Sequence, residues 1–140
     1  MTTVVVRSDR AAINRSANIA LWVLQALLGA AFLMAGGAKL AGADPVVQQF
    51  DIIGMGQWLR YLTGALEVVA AILLVVPGKS GYGALLVSCI MVGAAAVHLF
   101  VLQNSPVAPL VLLALAAVIV WARLVREPKA RIDRVATQSE

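Results

Sequence analysis

Residues 58–76, WLRYLTGALEVVAAILLVV, are apolar enough to enter a bilayer and yet carry an acid, Glu67, near their centre. A helix rises about 1.5 Å per residue, so Glu67 sits roughly 14 Å in from Trp58, close to the midplane of a hydrocarbon core about 30 Å thick. A charge at that depth costs at least about 2.5 to 3.5 kcal/mol, so the carboxyl is expected to be paired, protonated or turned to a cavity. Three more ionisable side chains interrupt apolar runs: Lys39 near the end of the first run, Arg60 two turns outward of Glu67, and His98 in the third. A carboxyl and an imidazole can exchange protons, and an ammonium or guanidinium can steady a developing anion.

The neighbours of Glu67 three and four positions away, Thr63, Gly64, Ala70 and Ala71, are small, which suits close helix contact. In the first run Gln25, Gly29, Phe32, Gly36 and Lys39 recur at steps of four and three and share one stripe, making Gln25 an interior polar residue. Lys39 either snorkels to the interface or turns inward, and its neighbours Ala35 and Gly36 favour the inward course. His98, with Ala94 and Ala95 behind it, is either a hydrogen-bonded bundle residue or a proton-handling and ligand-binding one. Lys39, Arg60, Glu67 and His98 come from three runs and are expected to converge on one polar cleft. There Lys39 or Arg60 would neutralise the acid, or His98 would hydrogen-bond it.

One histidine without paired ligands cannot build a metal site, so no metal is expected. The single cysteine, Cys89, excludes an internal disulfide and any C-x-x-C pair, and reads as a small packing residue with Gly93 four positions on. Redox chemistry would need a bound cofactor or partner.

These residues need a membrane scaffold to hold them. With 140 residues, 61% hydrophobic and 13% charged, and a mean hydropathy of +0.91, the chain reads as one integral membrane domain. The net charge of +4 does not indicate nucleic acid, because the basic residues lie outside the apolar runs. The expected architecture is an all-α membrane protein: a four-transmembrane-helix bundle over residues 18–125, between a tail at 1–17 and a basic tail at 126–140. The spans run over about 18–40, 57–76, 82–102 and 107–122. Asn18 is placed to cap the first span. Ala41-Gly42-Ala43 resembles a signal-peptidase site, but about 20 apolar residues precede it, against the 7 to 15 of a cleavable signal, so an uncleaved signal anchor is expected.

Asp44-Pro45 offers a cap and a first-turn proline to a short interfacial helix at about 45–53, ended by Gly54 and Gly56 and positioned as a lid. Residues 77–81, PGKSG, allow only a tight turn, so the second and third spans must be antiparallel neighbours. Ser105 and Pro106 start the fourth span. Nine of the eleven Lys and Arg residues fall on the side of the two termini, with only Lys39 and Arg60 opposite, so both termini are expected in the cytoplasm. The polar C-terminal tail is read as disordered or as a binder of anionic lipid headgroups.

Gly36-Gly37-Ala38-Lys39-Leu40, Phe50 with Gly54, Gly64-x-x-Glu67 and the segment from Ala94 to His98 together resemble the DoxX-like family of small bacterial membrane proteins, over about residues 17–125. The resemblance implies a four-helix protein of the bacterial cytoplasmic (inner) membrane, in a family whose namesake relatives are subunits of a thiosulfate:quinone oxidoreductase. The family's lysine, glutamate and histidine positions fall on Lys39, Glu67 and His98. The chain supplies no catalytic sulfur or flavin site of its own.

Three readings follow. One is a redox-linked subunit whose cleft holds a quinone headgroup. Another is a small proton-coupled transporter, with a homodimer alternating access around Glu67. The third is an accessory subunit docked on membrane or soluble partners, its ionisable groups fixing helix register. The bilayer is the one surrounding common to all three.

Overall fold

A computed structural model describes residues 2–126, with side chains from residue 15 onward. Helix α1 spans Thr2–Ala41, α2 Asp44–Ile53, α3 Gln57–Val75, α4 Ser80–Phe100 and α5 Val107–Val120, and α5 continues into a π-helical turn, Trp121–Arg126. Among the described residues there is no strand. The stretches Arg15–Ala41, Gln57–Val75, Ser80–Phe100 and Val107–Arg126 are each long and apolar enough to cross a membrane. Their outward faces carry bare apolar side chains such as Leu27, Met34, Val92 and Val118, a surface suited to lipid.

Two details differ from expectation at the start of the chain. No proline or glycine precedes Gly29, so nothing breaks α1 at Asn18, and the helix runs straight through the residue expected to cap it. The Asn18 side chain instead accepts a hydrogen bond from Arg123. The basic C-terminal tail lies outside the described residues from residue 127 on.

Helix α3 is the central element, packed on α1 along one side and on α4 along the other, while α4 also packs on α5. The interfaces are built from small residues. A Cβ on Gly36 would stand 2.7 Å from the Gly64 carbonyl oxygen, so α1 and α3 touch backbone to backbone. A Cβ on Gly83 would stand 2.6 Å from the Leu74 nitrogen, which seats α4 directly on the last turn of α3. The α4 face toward the core is Gly83, Ala84, Val87 and Met91. Cys89 and Gly93 were expected to form a packing pair, but they lie on another face: Cys89 is exposed and Gly93 has open space beside it.

Helix α2 lies against α3 and α1, and of its residues Phe50 is buried. Its end is set by Gly54, whose left-handed φ of 75° turns the chain while its N–H bonds the Phe50 and Asp51 carbonyls.

Candidate functional site

Lys39 lies in the last turn of α1 and Glu67 in the middle of α3, where the Gly36/Gly64 contact brings the two helices together. The Lys39 Nζ donates to both carboxylate oxygens of Glu67, at 2.8 Å and 3.0 Å. The Glu67 side chain is 5% exposed and that of Lys39 19%, so the ammonium turns into the protein instead of snorkelling. The acid in the middle of α3 is thus met by a charge-assisted, bidentate pair. An ammonium has three donors, and among the described residues Glu67 occupies two of them.

Arg60, the other candidate partner for the acid, goes elsewhere. Its Nε donates to the Gln57 side-chain oxygen at 2.6 Å, its Nη1 donates to the Lys39 carbonyl, and its guanidinium lies 4.2 Å from the Tyr61 ring centroid. The physical reason is the end of α1: its last carbonyls lack helical partners and carry the negative end of the helix dipole, which draws a cation. His98 does not bond Glu67 either; its Nδ1 is 2.7 Å from the Asn104 Oδ1, where the chain leaves α4.

Lys39, Glu67 and His98 nonetheless line one cleft of about 640 Å³, from which Arg60 is absent. All five helices contribute to its wall: Phe32 and Ala35 from α1, Phe50 and Ile53 from α2, Leu66 from α3, Met91 from α4 and Leu112 from α5. The expectation of a polar cleft is therefore corrected. The space is mainly apolar, with its few polar groups, Lys39, Glu67, Thr63, Gln49 and His98, set into that wall. The hydroxyl of Thr63 is already used within α3, donating to the Leu59 and Arg60 carbonyls at 2.9 Å and 3.1 Å. An apolar pocket with a few placed polar groups is the usual form of a small-molecule site.

Gln25 is fully buried but sits far from this cleft. With its amide oxygen toward Arg123, it accepts from the guanidinium at 2.9 Å and 3.1 Å, and its amide nitrogen donates to the Leu74 carbonyl at 3.3 Å. It belongs to a closure at the opposite end of the bundle. Among the described residues no group of three or more His, Cys, Asp or Glu could hold a metal ion.

Gln57 and Asp51 were not singled out from sequence. Gln57 precedes Arg60 by three positions, a spacing that signals a shared helix face. Asp51 lies on a different helix and gave no such signal.

Residues 23–120 match the family model described as the DoxX-like family. No curated protein matches the chain, and no solved structure does.

Proposed function

The chain belongs to the DoxX-like family, and on that premise we propose that it is a quinone-associated membrane subunit whose cleft receives the quinone headgroup. The observation that carries this reading is an ammonium and carboxylate pair set into the wall of an otherwise apolar cleft of about 640 Å³. A quinone has a flat apolar ring, two carbonyl acceptors and an apolar tail. The ring suits a space walled by Phe32, Phe50 and Met91, and the third Lys39 donor suits one carbonyl.

Reducing a quinone to a quinol takes two electrons and two protons. The chain has one cysteine and so no cysteine pair to cycle, and in this reading a partner subunit supplies the electrons. Of the cleft residues, Glu67 and His98 would be the groups able to hand on protons to a bound quinone, and Lys39 would hold its carbonyl oxygen. Ala31 and Ala35 of α1 and Ala108 of α5 are among the lining residues, and small side chains of this kind leave room for the quinone tail.

In this reading the protein resides in the bacterial cytoplasmic membrane with both termini in the cytoplasm, following its basic residues. The membrane domain covers residues 18–125, α2 lies at the outer interface, and the cleft opens outward.

The test is to purify the protein from membranes in mild detergent, extract it with organic solvent and record the oxidised-minus-reduced ultraviolet spectrum of the extract. Quinone near one per chain in the wild type, and its loss in Glu67→Gln and Lys39→Met, is the expected result. Extracts free of quinone, with no effect of Glu67→Gln on binding of added quinone, would overturn it in favour of an accessory subunit.

A further inference from the structure

Arg60 is 4% exposed, and among the described residues it has no carboxylate partner. A guanidinium so placed needs a reason, because removing it from water is costly unless its donors are satisfied. Its donors reach α1 directly and α2 through Gln57. Gln57, at the start of α3, donates from Nε2 to the Asp51 Oδ1 at 2.6 Å and to the Val47 carbonyl at 3.2 Å, both on α2. The same amide accepts from the Arg60 Nε at 2.6 Å, and the Arg60 Nη1 ends the chain of bonds on the Lys39 carbonyl of α1.

The two ends of this chain both matter to the cleft. On α2, Asp51 and Val47 bracket Gln49 and Phe50, which line the cleft. On α1, the bonded carbonyl belongs to the same residue whose ammonium holds Glu67. We propose that Arg60 and Gln57 are positioning residues of the cleft, tying α2 to the last turn of α1 so that Phe50 stays over the space and the Lys39 ammonium stays aimed at Glu67. The inference rests on the quinone reading of the cleft for its function, while the tie itself can be tested without any quinone.

Cys89 is the only cysteine and stands exposed on the cleft wall at mid-α4, so within a bilayer its modification by a charged reagent reports on water entering the cleft. The protein is reconstituted in liposomes and treated with a charged, water-soluble methanethiosulfonate reagent, and the rate of Cys89 modification is measured. Binding of a short-chain benzoquinone is followed separately by quenching of tryptophan fluorescence. Asp51→Ala removes one of the two α2 acceptors of Gln57, Gln57→Ala removes all three hydrogen bonds that link Arg60 to α2, and Arg60→Lys keeps the charge but loses the planar fork that serves two acceptors. Asp51→Ala is expected to raise the modification rate about tenfold and to weaken quinone binding about tenfold, the effect of one hydrogen bond, and Gln57→Ala and Arg60→Lys are expected to do so by at least that much. Asp51→Asn keeps an acceptor for Gln57 and is expected to restore both values, which general destabilisation would not do. Asn18→Ala, at the opposite end of the bundle, is expected to leave the rate unchanged.

Wild-type rates of modification in Gln57→Ala and Arg60→Lys would overturn the proposal, even if the wild type binds quinone. Raised rates in a protein whose wild type binds no quinone would support the tie and overturn the quinone reading instead.

Discussion

Gly64 lies directly against the Lys39 side chain: a Cβ there would stand 2.9 Å from the Lys39 Cβ and 3.1 Å from the Gly36 carbonyl oxygen. The ion pair therefore depends on a residue that has no side chain. Only with α1 and α3 in backbone contact do an ammonium from one and a carboxylate from the other meet without stretching across lipid. Gly64→Ala and Gly36→Ala are each expected to lower stability by about 1 to 3 kcal/mol, the usual cost of overpacking. Thermal unfolding in detergent measures this. Gly37→Ala is the matched control, since a Cβ at Gly37 meets nothing within 4 Å. There the better helix propensity of alanine should give up to about 1 kcal/mol of added stability.

Removing one partner of the Lys39/Glu67 pair leaves the other charge in an apolar setting. Lys39→Met and Glu67→Leu are each expected to destabilise by roughly 3 to 5 kcal/mol, whereas the double variant should cost less than either alone. A double-mutant cycle on unfolding free energies gives the coupling directly. Strictly additive losses would mean that the two side chains do not stabilise each other.

The spans were legible because their apolar runs are long and their turns carry Pro, Gly and Ser, as in residues 77–81. The inward faces were legible too, since small residues at helical spacing around Glu67 and along the Gln25 to Lys39 stripe mark close contact. Periodicity identifies a face but not what meets it. Whether Glu67 meets Lys39, Arg60 or His98 depends on how far α1 slides along α3, and that register is set by the Gly36/Gly64 contact between backbones. The destination of Arg60 was hidden for a related reason: its acceptor on α1 is a main-chain carbonyl, which has no signature in sequence. Asn18 and Arg123 stand 105 positions apart, and each looked like a separate end-of-helix residue.

Phe50 is the one buried residue of α2 and forms part of the cleft wall. Phe50→Ala is expected to destabilise by about 3 to 5 kcal/mol if the site cannot collapse, and by less if lipid or solvent fills the space. Ile52, on the same helix but 68% exposed, gives the comparison, with Ile52→Ala expected within about 0.5 kcal/mol of wild type. Equal losses at the two positions would show that α2 does not depend on its inward face.

The end of the bundle away from the cleft should behave as an independent unit. Gln25 and Lys39 are 14 residues apart on one helix, or about 21 Å along its axis. At the Gln25 end, Arg123 reaches from the π-helical turn to Gln25 and, at 2.9 Å, to Asn18, and its guanidinium lies 5.7 Å from the Trp22 ring centroid. These bonds fasten the end of the fourth span to α1, and through the Leu74 carbonyl to α3. Arg123→Leu removes the donors facing the buried Gln25 oxygen, which costs about 1 to 3 kcal/mol for a desolvated acceptor. Gln25→Leu in the same background should recover part of that loss, because no acceptor is then left buried. Sites farther apart than about 10 Å normally add within about 0.5 kcal/mol, so combining Arg123→Leu with Gly36→Ala should give the sum of the two losses. Hydrogen exchange locates the effect: in Arg123→Leu the amides of Trp121–Arg126 should exchange faster while those of α2 keep their protection. Faster exchange throughout α2 would show instead that the two ends open together.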